Sequence, residues 1–407
     1  MHSSRRRSGS RWPLAVVMVV VALLVGIFAG GHTGWMPGWV RSAFTNQSAQ
    51  DLQAQNVIGL IQKNYYRPVS TQSLVNQSLV AAVKSLDDPY SHYYPPQHEQ
   101  QFQQETNPQV SGIGVEVSPD KAGLYVDQVF PGGPAAGAKV TQGEIIVAVN
   151  GKSLKGLSVD KASDLIKGRT GTKVVLKLVS GTKQRSITVK RAEVTEPVAS
   201  SELIKYHGRK LGYIEFAQFT QGSAAQLSAQ VKKMQRAGAQ GLILDLRDNP
   251  GGLLTQAIGV ASIFIRTGTI VSTRGRNQPT TVYAALGNAI APTIPLVVVV
   301  DRGTASSAEI VTAALQQRGR AKVVGARTYG KGVFQESQTV DGGGLLDITV
   351  GEFFTPDGKN LGGAGVAQGR DLTRGPGIKP NYYVADNPDA PGPAALHKAE
   401  SVLAGEL

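Results

Sequence analysis

The sequence predicts a mixed α/β chain in which a parallel-sheet domain follows a smaller β-rich one. Three observations carry that prediction. From about residue 192 onward, strand-like and helix-like segments alternate, the pattern that builds a parallel sheet with helices on its faces. Between 108 and 191, short β runs alternate with Gly/Pro turns around one helical stretch. Ahead of both lie helical patterns and, near the start, twenty residues without a charge.

The bulk numbers bound the answer. At 407 residues the chain exceeds one ordinary domain, and 41% hydrophobic with 17% charged residues suits globular packing. The net charge of +13 includes Arg5, Arg6, Arg7 and Arg11, and the rest is scattered with no dense basic run beside aromatics. That distribution points away from nucleic acid and toward a mildly basic exterior near anionic lipid. The absence of cysteine excludes disulfides, Cys-based zinc sites and thiol catalysis.

Residues 1–11 read as a cytoplasmic tail, and Trp12–Gly31 is long and apolar enough to cross a bilayer as a helix. Arginines on the near side alone place this end in the cytoplasm and the bulk of the chain outside. A cleaved signal peptide is the alternative, but its small-x-small cleavage pattern is not evident before His32. Residues 32–107 hold a linker and a helical region, with Leu and Val at helical spacing in "DLQAQNVIGLIQKNYY" and "STQSLVNQSLVAAVKSL". Ser70 or Thr71 caps the second helix, and "LDDPYSHYYPP" stops it. The apolar stripes suit either the protein's own core or a partner helix. In 108–191, "GIGVEVS", "GLYVDQVF", "EIIVAVNG", "KVVLKLVS" and "RSITVKR" read as strands and "SVDKASDLIKG" as a helix.

In 192–385, "KLGYIEFAQF", "GLILDLRD", "IPLVVVVD" and "AKVVGA" read as strands, interleaved with helices in "SAAQLSAQVKKMQRAG", "LLTQAIGVASIFI" and "SAEIVTAALQQRG". The unbroken apolar run of "IPLVVVVD" marks a strand buried on both faces. "LLDITVGEFFTPDGKN" closes the domain as an expected hairpin, and the 386–407 tail ends in a short helical pattern expected to fray.

In such sheets, sites gather where strands hand over to helices. Ser306, in "DRGTASSAEI", stands at one handover. Its spacing to Glu309 is that of a capping box, a purely structural explanation. The same position suits a nucleophile, because free amides and the positive end of a helix favour an oxyanion there. No histidine lies between His207 and His397 to serve as base. Lys331, between Gly330 and Gly332, could serve if desolvation or nearby positive potential keeps it neutral; otherwise it is a lysine in a surface turn. "DLRDNPGG" is either a tight strand-to-helix turn or a loop whose Gly251 or Gly252 amide faces a carbonyl oxygen. "SGIGVEV", at Ser111–Val117, is either a β-turn or a loop presenting amides to a carboxylate beside an edge strand.

Together these segments resemble the carboxyl-terminal processing, or tail-specific, proteases over about residues 50–385. "LDDPYSHYY", "GGPAAGAKVTQGEIIVAVNGKSL", "LIKGRTGTKV", "LILDLRDNPGG", "DRGTASSAEIV", "GARTYGKGVFQ" and "FFTPDGKN" appear in the family's order. The resemblance implies a parallel-sheet serine protease core at 192–385 and an inserted PDZ domain at 108–191, behind the N-terminal helical region and the apolar span read above. It implies Ser306 as nucleophile, Lys331 as base, Gln335 orienting the lysine, and Ser307 and Gly252 amides as oxyanion hole. Gly112, Ile113 and Gly114 would bind the substrate's terminal carboxylate. No metal or other cofactor is implied.

Two departures stand out. The family's "SAS" reads "SSA", so Ser307 replaces an alanine and Ala308 a serine; Asn381 replaces an aspartate in "GIKPN". The expected partners are proteins or peptides with free, apolar C-termini, the bacterial cell membrane, and a second copy through the N-terminal helices. The alternative is an inactive PDZ scaffold or chaperone on the same fold, supported by the swapped block. A penicillin-recognising Ser–Lys enzyme is a poor fit, because its S-x-x-K lies within one helical turn.

Overall fold

The computed structural model of the chain describes residues 49–96, 109–362, 376–385 and 394–407. The expected span at 12–31 and the segments flanking it lie outside those residues. Among the described residues no helix is long and apolar enough to cross a membrane.

The chain divides into two compact units, the second beginning at Val83. The first contains α1, Ala49–Asn64, and most of α2, Thr71–Lys84. Ser70 caps α2 as expected, its Oγ accepting from the Ser73 amide. The apolar stripes are not covered: Val57, Leu60, Ile61 and Leu79 stay exposed.

The second unit opens with the Asp87–Asp88–Pro89 turn, in which Asp88 accepts from the Tyr90 amide and the Ser91 hydroxyl, and with β1, His92–Tyr94. Two strands, β2 at Gln109–Gly112 and later β9 at Ala192–Thr195, pair antiparallel where the chain enters and leaves a small domain. That domain is a sheet in the order β3-β4-β5-β7-β8. Its strands are β3, Val115–Asp120; β4, Gly123–Val129; β5, Ile145–Val149; β7, Lys173–Ser180; and β8, Lys183–Lys190. A two-residue β6, Lys152–Ser153, pairs with β5. The short α3, Pro134–Gly137, and the longer α4, Val159–Ile166, complete it. Strict alternation in β7, with Val174, Leu176 and Leu178 buried, follows from one face packing on the core and the other meeting solvent. β3 lies at the end of the sheet, so one of its edges is available to another strand.

The larger domain is a six-stranded sheet, β10-β11-β12-β15-β16-β19. β10, Ala199–Tyr206, and β11, Arg209–Phe216, form its antiparallel end. After α5, Ser223–Arg236, come β12, Gly241–Asp245, and α6, Leu254–Phe264. β13, Thr269–Gly275, and β14, Thr281–Ala284, leave this sheet for another, and β15, Leu296–Val300, returns to it. Then follow α7, Ser307–Gln317; β16, Lys322–Gly325; β17, Val333–Thr339; β18, Leu345–Phe354; and β19, Tyr382–Tyr383. From β11 to β19 every pairing in the six-stranded sheet is parallel.

Three expectations change. The hairpin expected within 345–360 is instead one long strand, β18, which pairs with β17, β13 and β1; only Phe354 and Asn360 bridge at the expected turn. The antiparallel sheet β1-β18-β13-β14, with β17 on β18, was not foreseen. The tail does not simply fray. The helix α8, Ala394–Glu406, packs Ala399 and Leu403, fully buried, against Leu211, Ile243, Val297, Val299 and Val324. The physical reason lies in β12 and β15, which are buried throughout: helices α5, α6 and α7 cover one face, so the other needs α8.

Candidate active site

Two loops at the carboxyl ends of β12 and β15 are knitted into one surface. The Asp301 carboxylate accepts from the amides of Gly303, Thr304 and Asp248. Thr304 Oγ1 donates to the Leu246 carbonyl, and the Ala305 amide to that of Asn249. Asn249, fully buried, accepts from the Gly251 amide and donates to the Phe216 carbonyl. The β12 loop therefore cannot shift without the β15 loop.

Ser306 ends the second loop as the N-cap of α7, with φ 52° and ψ −117°. A non-glycine residue there is strained, by about 1–3 kcal/mol, and strain of this kind clusters at functional sites. A sharp strand-to-helix turn of this type exposes a serine Oγ. Gly251 is pressed against the turn: a Cβ on it would stand 2.8 Å from Ala305 O, Ser306 Cβ and Ser307 N.

The Ser307 amide is the first of α7 and has no carbonyl within the helix to reach. Among the described residues neither it nor the Gly252 amide makes a hydrogen bond to protein. The two candidate oxyanion donors are thus both available. The Ser307 side chain is 1% exposed, and its hydroxyl donates to the Gly252 carbonyl at 2.7 Å.

The lysine arrives on the segment between β16 and β17. The Tyr329 amide donates to the Thr304 carbonyl, fastening that segment to the serine loop. Gly332 allows a close crossing, since a Cβ would lie 2.2 Å from the Gly362 amide nitrogen. Lys331 Nζ donates to Gln335 Oε1 at 2.9 Å and lies 4.6 Å from the Tyr90 ring centre. Gln335 is held in turn by donating to Thr349 Oγ1. Burial pushes the Lys331 amine below its ordinary value, against the opposing charges of Asp347 and Asp88. Burial of the lysine itself leads this shift.

Sequence reasoning took Glu309 for half of a capping box and missed its larger part. It is fully buried and accepts four hydrogen bonds. Oε1 takes the Thr328 hydroxyl (2.6 Å) and the Gly330 amide (2.7 Å), while Oε2 takes the amides of Ser306 and Lys331, both at 2.9 Å. One carboxylate oxygen therefore ties the main chain of Ser306 to that of Lys331. Burial pushes this carboxyl up to about 7, although its donors pull the other way. No hydrogen bond joins the Ser306 hydroxyl to Lys331 among the described residues; Glu309 links the two residues through their main-chain amides. The only advance signal was the i+3 spacing of Ser306 and Glu309.

Asn381 keeps its pairing despite replacing aspartate. Its Oδ1 accepts from the Val323 amide and Gln316, and its own amide donates to the Val323 carbonyl. An amide oxygen accepts there as a carboxylate would.

In the smaller domain, Gly112, Ile113 and Gly114 border a cavity of about 220 Å³ between β3 and α4, with Val115, Phe130 and Ile166 also in its wall. Gly114 has φ 78°, and a Cβ would meet Val194 at 3.1 Å, so glycine is required. The Ile113 and Gly114 amides make no hydrogen bond to protein among the described residues.

With this geometry in hand, comparison with known proteins is specific. The peptidase family S41 profile matches residues 210–382, and the PDZ domain profile residues 99–179. The carboxy-terminal processing protease CtpA of Bacillus subtilis is 33% identical over 321 residues, covering 78% of this chain and 68% of that one. A "Probable CtpA-like serine protease" of Staphylococcus aureus is 29% identical over 367 residues, covering 90% of this chain and 73% of that one. Among solved structures, the photosystem II D1 C-terminal processing protease superposes with a TM-score of 0.51 at 24% identity, covering 86% of this chain and 97% of that one.

Proposed function

The chain belongs to peptidase family S41 as a carboxyl-terminal processing serine peptidase with a PDZ domain, and from that premise we propose a Ser306–Lys331 mechanism acting on protein tails. Neutral Lys331, held by Gln335, takes the proton of Ser306, whose Oγ attacks a peptide carbonyl near the substrate's C-terminus. The Gly252 and Ser307 amides receive the oxyanion. The lysine then gives its proton to the leaving amine, and water frees the acyl-enzyme. The single observation that carries this reading is the shared Glu309 oxygen, which holds the strained Ser306 turn beside a lysine depressed by burial.

The PDZ domain, taken as 108–191, supplies substrate selection. Free amides at Ile113 and Gly114 suit a carboxylate, the apolar wall of Val115, Phe130 and Ile166 suits an apolar last side chain, and the open β3 edge suits an extended strand. Occupancy of this pocket would favour the active arrangement of the core, taken as 192–385. The uncharged stretch 12–31 behind four arginines supports a single-pass anchor with the enzyme outside the bacterial cytoplasm. The exposed apolar residues of α1 support self-association. The scaffold alternative loses its support, because Ser307 turns its hydroxyl to Gly252 and Ala308 packs in the core.

The test is a cleavage assay on a peptide with a free apolar C-terminus. Ser306→Ala and Lys331→Ala are each expected to abolish cleavage while tail binding survives. Cleavage that persists in either variant would refute the pair.

A further inference from the structure

The swapped serine has a consequence of its own. Gly252 is held on one side by Phe219: the Phe219 amide donates to Gly251 O at 2.9 Å, and the Leu253 amide to Phe219 O at 2.8 Å. Across a trans peptide, C=O and N–H point in opposite directions. The Gly252 N–H, partner of the Gly251 carbonyl, therefore faces away from Phe219. So does the Gly252 carbonyl, partner of the Leu253 N–H. Both face the start of α7. There the carbonyl meets the Ser307 hydroxyl at 2.7 Å, and the N–H is left for an oxyanion.

We propose that the Ser307 hydroxyl is a positioning group for the oxyanion hole, anchoring Gly252 from the helix side so that its amide keeps its aim. Gly251 and Gly252 both have positive φ, 95° and 138°. Two successive glycines lack the side-chain restraint that would fix the peptides on either side of Gly252, and a turn of the Gly251–Gly252 peptide would present a carbonyl where a donor is required. Phe219 restrains this loop against one neighbour. Ser307 restrains it against the residue that carries the second donor amide. The hydrogen bond thus sets the spacing of the two donors relative to each other. Where the family pattern has alanine, that tie is absent from this position.

The inference rests on the Ser306–Lys331 reading, and the experiment separates the two. Wild type, Ser306→Ala and Ser307→Ala are compared for kcat and KM on a tail peptide, for thermal unfolding, and for inhibition by a peptidyl boronic acid of the same sequence. The boronate forms an anionic tetrahedral adduct on a serine. Alanine at 307 matches the family's own residue, so it fits the space.

The expected result is a kcat lower by roughly 10- to 100-fold in Ser307→Ala, less than the loss on deleting a donor outright. KM should stay within about twofold, and boronate affinity should fall by the same factor as kcat. The unfolding midpoint should be close to that of wild type. A kcat equal to wild type, or a loss of boronate affinity no larger than that for the product peptide, overturns the proposal alone. A wild-type chain that cleaves no such peptide, or a Ser306→Ala variant that still cleaves, overturns the parent reading and this proposal with it.

Discussion

At the scale of single residues, the proposed chemistry depends on an amine being neutral. Lys331 is half-buried against the Tyr90 ring, and desolvation disfavours its charged form. Only the neutral amine accepts a proton, so kcat/KM should rise with pH and level off above an apparent pKa below the ordinary lysine value. Asp347 pulls the other way by stabilising the ammonium. Asp347→Asn should therefore move the acid limb of the pH–rate profile to lower pH; a limb that moves up, or stays, contradicts this role. Gln335→Ala removes the acceptor of Nζ and should lower kcat with the fold intact. The ordered blocks that point to Ser306 and Lys331 as the proposed pair were legible in sequence. The cause of the lysine's shift was not, because Tyr90 and Asp347 reach it from other parts of the chain. Nor was the direction of the Ser307 hydroxyl, which depends on where Gly252 lies.

At the scale of elements, Glu309 joins the start of α7 to the segment before β17. Replacing it by Gln leaves one amide group facing N–H donors inside a buried site, which should destabilise the protein by about 1–3 kcal/mol and depress kcat. Its titration has a defined sign. With the folded value raised to about 7 from 4.5, the folded state holds a proton that the unfolded chain has released. Stability from this group is thus greatest below the unfolded value, falls as pH rises through that window, and is flat above it. Urea unfolding from pH 4.5 to 8 should show that fall in wild type and a smaller one in Glu309→Gln. Gly251→Ala drives a Cβ to 2.8 Å from Ser306 Cβ and should reduce kcat by distorting the Ser306 turn. Helices α4 to α7 and strands β3, β4, β5, β7, β8, β11, β12, β15 and β16 were readable from hydrophobic periodicity. β13, β14 and β17 were not, because polar and half-buried residues blur their alternation. The capping-box spacing was visible, but its four-donor network needs residues 328–331 brought back to the helix.

At the scale of the whole molecule, two faces of one sheet are covered from opposite ends of the domain sequence. Leu403 fills the space above Gly241, where a Cβ would meet its side chain at 2.8 Å. Leu403→Ala should cost about 2–5 kcal/mol, read by denaturant unfolding. The tail's weak apolar pattern hid this role, since only Ala399 and Leu403 of α8 are buried. The order of domains was legible, as was the likeness of each to its family. The central claim remains the division of labour between two adjacent serines and a distant lysine. The most direct measurement is peptide mapping after reaction with a fluorophosphonate that traps an activated serine. The account predicts one adduct, on Ser306, formed rapidly in wild type and slowly or not at all in Lys331→Ala. An adduct on Ser307, or equal labelling of Ser306 without the lysine, would contradict it.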